Sequence, residues 1–247
     1  MSRFGLLGEH LGHSRSPEIH RRLGEEKYDL FEVAPDELEA FMREGEWDGI
    51  NVTIPYKQKV IPYLDEMSDV ARETGSVNTI VRRGGKLYGD NTDVYGFMEM
   101  VRHARFELKG KEVLVLGSGG ASRAVQTGLK RLGADSIVIS RSGENNYQTI
   151  WKFRGARYIV NATPVGMFPE AEASPLDIAE FRELEGVMDL IYNPPETRFM
   201  AQARLLGVRA ENGLYMLVAQ AWKSAEQFLE KEIDESVVEE IYREMRE

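Results

Sequence analysis

Cysteine is absent from this 247-residue chain. Its absence excludes thiolate nucleophiles, disulfides and cysteine-based metal sites, and it suits a cytoplasmic protein without requiring one. Histidine is sparse. His10, His13, His20 and His103 are the whole set, they show no HExxH spacing, and no metal site is expected. Basic residues number 31 against 41 acidic ones, a formal net charge of −10. That surplus disfavours bulk nucleic-acid binding and polybasic membrane contact, so an anionic ligand would have to be held by a local cluster of donors. Long apolar runs are also lacking. No stretch reaches transmembrane length, and MSRFGLLGEH has no extended apolar segment, so no signal peptide is expected. What is present is 42% hydrophobic residues, enough for a core in one large domain or two modest ones.

The order of elements suggests an α/β protein. Arg3 to Leu7 reads as a short buried strand. Ser16-Pro17 opens a helix, with Ser as N-cap and Pro at the first helical position. Tyr28 to Val33 reads as a strand, Pro35 to Glu44 as a helix and Asp48 to Thr53 as a strand, the alternation of a parallel sheet. A hairpin is expected across Gly84-Gly85. A second α/β unit starts at Lys111 to Leu116, followed by a helix to about Leu132 that Gly133 ends. Ser136 to Ser140, Tyr158 to Asn161 and Val187 to Ile191 are further strands. Thr197 to Leu206, Leu214 to Leu229 and Glu235 to Arg246 are helices.

Three stretches carry chemistry. NVTIPYK places the amide of Asn51, the hydroxyl of Thr53 and the ammonium of Lys57 within seven residues, directly after a strand. That donor set suits a small, hydroxyl-rich anion. The plainer alternative is a strand end, a proline turn and one solvated lysine. Gly117-Ser118-Gly119-Gly120-Ala121 lies between a strand and a helix, where the first glycine permits the turn and the free amides can hold a phosphate. Ser122 stands where the usual dinucleotide fingerprint has Gly or Ala, so the match is imperfect. At the end of the next strand stands Ser140-Arg141-Ser142 instead of Asp or Glu. A carboxylate there would repel a 2′-phosphate and a guanidinium can bind it, which favours NADP over NAD. The alternative is an ordinary surface arginine.

The segments GHSRSP (12–17), NVTIPYK (51–57), SVNTI (76–80), GDNTDVYGF (89–97), GSGGASRAV (117–125), NATPVGM (161–167) and GLYMLVAQA (213–221) stand in this order along the chain. In order and spacing they resemble the shikimate dehydrogenase family, whose members reduce 3-dehydroshikimate with NADPH. The resemblance implies two domains with the active site in the cleft between them. Residues 1–95, completed by helices in 214–247, would bind substrate, and residues 96–213 would form a Rossmann-like NADP(H) domain. It further implies that Ser14 and Ser16 hold the substrate carboxylate, with Tyr192 near the same end. Asn51, Thr53, Asn78 and Gln220 would contact ring hydroxyls, and Lys57 and Asp93 would form the catalytic pair. Arg141 would meet the 2′-phosphate, Asn161 and Thr163 would edge the cofactor, and Gly213 and Met216 would border the nicotinamide. Structural alternatives stand beside these roles: helix capping for Ser16 and Asp93, core packing for Tyr192 and Met216.

The chain departs from the family pattern in places. Glu9-His10-Leu11-Gly12 lacks the proline common before His13. Only 19 residues separate Arg141 from Asn161, so the cofactor domain is expected to lack about one βα unit. Glu144 and Asn145 stand where a second basic residue is common. The partners implied are shikimate and 3-dehydroshikimate, with no nucleic acid and no membrane, for a monomer or homodimer. A quinate/shikimate dehydrogenase with dual cofactor use and a non-catalytic sensor are the competing readings.

Overall fold

The computed structural model describes residues 2–12, 14–25 and 27–246. In chain order its elements are β1 (Phe4–Gly8), α1 (Ser16–Arg22), β2 (Tyr28–Glu32), α2 (Leu38–Glu44), β3 (Gly49–Val52), β4 (Glu66–Met67), α3 (Asp69–Thr74), β5 (Thr79–Arg83), β6 (Lys86–Asp90) and α4 (Thr92–His103). There follow β7 (Glu112–Leu116), α5 (Gly120–Arg131), β8 (Asp135–Ile139), β9 (Tyr158–Asn161), β10 (Gly186–Asp189), α6 (Arg198–Leu205), β11 (Arg209–Asn212), α7 (Leu214–Leu229) and α8 (Glu235–Arg246). The chain divides into two compact units. One comprises the residues up to Gly96 together with Val218–Met245, and the other is Phe97–Leu217. No helix among the described residues is long and apolar enough to cross a membrane.

The first unit is built on a mixed sheet in the order β2-β1-β3-β5-β6-β4. β1 pairs in parallel with β2 and β3, while β5 runs antiparallel to β3 and to β6. β1 and β3 are buried at every position because both sheet faces are covered. Leu7 and Ile50 pack with Leu38, Met42 and Ile80 in one cluster. Phe4 and Val81 meet Phe228 of α7 in another. The β5–β6 hairpin turns on Gly84 and Gly85, both with positive φ (56° and 78°), which glycine adopts without strain.

The second unit holds a five-stranded, fully parallel sheet in the order β11-β10-β9-β7-β8. Its centre is apolar: Val113 to Leu116, Ile159, Val160 and Val187 are fully enclosed. Between β8 and β9 the chain forms one 3-10 turn, Ile150–Phe153, with no α-helix or further strand.

Local rules explain two elements the sequence pattern did not suggest. α3 is capped by Ser68, whose Oγ accepts from Ala71 N, and it closes on Gly75 at φ 61°. β11 (RAEN) has no apolar alternation, and its backbone pairing to β10 makes it a strand. One expectation is corrected. Ser16 is the first helical residue of α1, not its cap, and no side chain caps that helix. The hydroxyl of Ser14 instead accepts from Ser16 N at 3.2 Å.

Candidate active site

Topology gathers the candidate residues of the first unit on one sheet edge. β1 and β3 end side by side, with Leu7 opposite Val52. β5 is antiparallel to β3, so it starts where β3 ends, with Thr79 opposite Asn51. β6 is antiparallel to β5 and ends opposite the same residue, Thr79 facing Asp90. Ser14 and Ser16 follow β1, Thr53 and Lys57 follow β3, Asn78 precedes β5, and Asp93 follows β6. Their shared location is a consequence of strand direction.

After β3 the chain turns at once. Thr53 N donates to Leu7 O (2.9 Å) and Tyr56 N to Thr53 O (2.9 Å). Tyr56, fully buried, donates its hydroxyl to Val33 O and anchors the turn. Val77 N donates to Lys57 O at 2.8 Å, which fixes the lysine backbone beside the start of β5. The side chain then places Nζ 2.6 Å from Asp93 Oδ2, with both side chains largely shielded (18% and 11% exposed). Asp93 lies in the first turn of α4, yet its carboxylate faces Lys57 and Asn78. Asn78 Nδ2 donates to Asp93 Oδ1 at 2.9 Å. Gln220 Oε1 lies 3.5 Å from the same nitrogen. Lys57, Asp93, Asn78 and Gln220 thus form one connected cluster.

Asn51 is held by partners on three other segments. Its Oδ1 accepts from Tyr28 Oη (2.7 Å), and its Nδ2 donates to Ser224 Oγ (2.7 Å), with Thr79 Oγ1 and Asn78 O also in range (3.1 and 3.2 Å). Burial, and then the Glu25 carboxylate, push the Tyr28 phenol well above its ordinary range, so it stays a donor. The Asn51 amide is thus engaged inside the unit. Ser16 and Thr53 are different. Neither hydroxyl has a hydrogen-bond partner among the described residues. His13 of the GHSRSP segment lies outside the described residues.

In the second unit the same logic applies to a parallel sheet. Leu116, Ile139, Asn161, Asp189 and Asn212 end their strands in register across it. Every candidate of this unit lies at or after one of those ends, the edge where open parallel sheets bind ligands. Gly117 has φ 103°, and a Cβ there would lie 3.0 Å from Thr163 Cγ2 and 3.1 Å from Ala162 O, so only glycine fits. Ser118 and Gly119 are exposed, and no side chain caps α5. Arg141 is exposed and forms no ion pair among the described residues. Its loop is braced by Ser140 Oγ donating to Ser142 O and Ser140 N to Asn145 O. Asn161 is buried; its Oδ1 accepts from Thr163 N (3.0 Å) and Thr163 Oγ1 (2.6 Å). Gly213 approaches the Leu190 carbonyl so closely that a Cβ would lie 2.1 Å from its oxygen. Met216 is buried on α7 and Tyr192 is half-buried.

Residues 6–80 match the family model described as the shikimate dehydrogenase substrate binding domain. The chain is 36% identical to the shikimate dehydrogenase (NADP(+)) of Clostridium perfringens strain 13, covering 100% of this chain and 99% of that protein. The chain belongs to the shikimate dehydrogenase family. Its fold is similar to a chorismate mutase/shikimate 5-dehydrogenase fusion protein from Clostridium acetobutylicum, with a TM-score of 0.92 and 40% identity over 99% of this chain and 97% of the other. It is also similar to the shikimate 5-dehydrogenase of Thermus thermophilus in complex with NADP(H) and shikimate, with a TM-score of 0.89 and 34% identity over 99% of each chain.

Within this member of the shikimate dehydrogenase family, the motifs did not single out Thr79, Thr92, Ser224 or Asp189. Thr79 and Thr92 sit inside SVNTI and GDNTDVYGF, beside residues that were read. Ser224 had one available signal, its place one turn after Gln220 on the same helix face. Asp189 had none. It is fully buried at the end of β10, where its Oδ1 accepts from Asn161 Nδ2 (3.0 Å) and Ile191 N (3.1 Å) and its Oδ2 from Thr197 Oγ1 (2.7 Å). It ties the loop after β9 to the loop after β10.

Burial raises the Asp189 carboxyl to about 6, against the opposing pull of Thr197, the Ile191 amide and Asn161. A carboxyl raised on folding binds its proton more tightly in the folded state. Its protonation therefore stabilises the fold, and that stabilisation is lost as pH rises through about 6. Between about pH 7.5 and about pH 5 the wild type should gain roughly 1–2 kcal/mol that Asp189→Asn lacks. Thermal melting of both proteins across that range checks this; parallel curves would remove Asp189 as the source.

Proposed function

We propose that this chain catalyses the NADPH-dependent, reversible reduction of 3-dehydroshikimate to shikimate. The observation that carries the proposal is Lys57 Nζ held 2.6 Å from Asp93, on a sheet edge that also carries the uncommitted hydroxyls of Ser16 and Thr53. Reduction of a ketone places a hydride on carbon and a proton on oxygen. Bound NADPH supplies the hydride. The Lys57 ammonium stabilises negative charge as it grows on the substrate oxygen and donates the proton to it; in the reverse direction Lys57 takes that proton back. Asp93 keeps Lys57 aimed, and Asn78 orients Asp93. Ser14 and Ser16 are assigned to the substrate carboxylate, and Thr53, Asn78 and Gln220 to its ring hydroxyls.

The cofactor residues fit a dinucleotide phosphate. The glycine turn Gly117–Ala121 leaves the first amides of α5 without a side-chain cap, and Arg141 stands without an acidic partner among the described residues. We assign the pyrophosphate to the former and the 2′-phosphate to Arg141, with Ser140 and Ser142 in its loop. Asn161, Thr163, Gly213 and Met216 are assigned to the cofactor's surroundings. A cytoplasmic setting belongs to the same reading, in line with the absence of cysteine.

The test is spectrophotometric: NADP⁺ and NAD⁺, each with shikimate and with quinate. Turnover of shikimate with NADP⁺ is expected to dominate. Quinate turnover at a similar rate would make this a broader quinate/shikimate enzyme, and shikimate binding without turnover would make it a sensor. A second expectation separates the two ligands. Ser14→Ala combined with Ser16→Ala should raise KM for shikimate and leave the NADP⁺ dissociation constant near its wild-type value. Equal weakening of both would point to damage around α1.

A further inference from the structure

Behind the Lys57–Asp93 pair lies a group of three buried hydroxyls that the proposed chemistry does not use. Thr79, Thr92 and Ser224 are all within 1% of full burial. Their oxygens form a triangle: Thr79 to Thr92 3.1 Å, Thr79 to Ser224 2.9 Å and Thr92 to Ser224 3.0 Å. The triangle contacts two amides. Asn51 Nδ2 donates to Ser224 Oγ, and Asn78 Oδ1 receives Thr92 N (2.7 Å) and the Thr79 hydroxyl (3.0 Å).

One arrangement of protons gives every donor an acceptor. Ser224 donates to Gln220 O (3.0 Å), its own helix one turn back. Thr92 donates to Ser224, and Thr79 donates to Asn78 Oδ1. Asn78 then directs one N–H to Thr92 Oγ1 (2.9 Å) and the other to Asp93 Oδ1 (2.9 Å). In this arrangement Ser224 Oγ is the acceptor for both Thr92 and Asn51. The orientation of Asn78 has a direct consequence. With its oxygen committed to Thr92 N and Thr79, its N–H face must meet Asp93; the flipped amide would set an oxygen against a carboxylate.

We propose that Ser224 is a positioning residue for the Lys57–Asp93 pair. Its hydroxyl terminates the hydrogen-bond chain that fixes the Asn78 amide on Asp93, and it pins the stretch of α7 that carries Gln220. Asn51, held between Tyr28 and Ser224, is part of the same device. Without the Ser224 oxygen, the Thr92 hydroxyl and an Asn51 N–H lose one acceptor and both fall back on Thr79 Oγ1, 3.1 Å from each, in a buried site. Thr92 must then turn toward Thr79 Oγ1 (3.1 Å), where it competes with Asn51, or toward Asn78 Oδ1 (3.2 Å), which already accepts two donors. The inference rests on the reading of Lys57 and Asp93 as the catalytic pair.

The test is a double-mutant cycle on the full chain, with Ser224→Ala, Lys57→Met and the double variant assayed for shikimate oxidation with NADP⁺. Ser224→Ala alone should lower kcat by about 5–10-fold, with the NADP⁺ dissociation constant unchanged. In the Lys57→Met background the same substitution should change kcat by less than about 2-fold, because the pair it positions is gone. An equal drop in both backgrounds would mean that Ser224 supports the fold generally, and would overturn the proposal. An unchanged kcat in Ser224→Ala would overturn it too. Failure of the catalytic reading shows separately, as Lys57→Met retaining wild-type kcat. Should Ser224→Ala not fold, Ser224→Cys, which nearly keeps the volume but only weakly donates and accepts, takes its place in the cycle.

Discussion

Lys57→Ala is expected to lower kcat by about 10²–10⁴-fold while KM for shikimate moves far less. The reasoning starts from where charge develops. Hydride addition makes the ketone oxygen alkoxide-like, so an ammonium beside it contributes mainly in the transition state. Lys57 is set for that role: its backbone is pinned by Val77 N, its Nζ is held by Asp93, and only 18% of its side chain is exposed. The hydroxyls of Ser14, Ser16 and Thr53 stay in place in the variant, which is why binding should persist. Lys57→Met should behave alike, because it keeps the aliphatic bulk and removes only the charge. Circular dichroism and thermal melting check that both variants fold. A raised KM with near wild-type kcat would make Lys57 a binding residue and Asp93 the better candidate for proton transfer.

Arg141→Asp should lower kcat/KM for NADPH by about 10–100-fold relative to NADH, the equivalent of one charge-assisted phosphate contact of roughly 1.5–3 kcal/mol. Arg141 is exposed and free of acidic partners among the described residues, so the substitution removes no internal ion pair. The introduced carboxylate would repel the 2′-phosphate, a group NADH lacks. The ratio of the two kcat/KM values is therefore the readout, because a general disturbance of the loop would lower both. An unchanged ratio would remove Arg141 from the 2′-phosphate site. Glu144 and Asn145 supply no second cation in this loop, so on the proposed reading Arg141 would act without a second basic side chain at those positions.

Long helices without interior breakers were legible from sequence to the residue, as with α7 (Leu214–Leu229) and α8 (Glu235–Arg246). So was β9, whose YIVN run is buried throughout. β11 was not, because its strand character comes from pairing with β10 and its side chains carry no alternation. α3 is only six residues long, and its signals, Ser68 and Gly75, passed unread. At the site, residue types and order pointed to Lys57 and Asp93. What the sequence could not convey is that one acceptor for the Asn51 amide comes from Ser224, 173 positions away. The same holds for Asp189, whose donor Asn161 Nδ2 comes from a different strand, 28 positions away. Partners of that kind are set by tertiary packing, and no local pattern encodes them.

The most direct measurement of the role given to Lys57 is the primary deuterium isotope effect on kcat, with NADPH deuterated at the transferred position and 3-dehydroshikimate as substrate. It compares wild type with Lys57→Met. If Lys57 acts in the step that moves hydride and proton, removing its charge slows that step selectively. The isotope effect should then rise in the variant as chemistry becomes fully rate-limiting. A fall in kcat with no isotope effect in the variant would place the loss in binding, release or a conformational step, and would contradict Lys57 as the acid–base of the reduction.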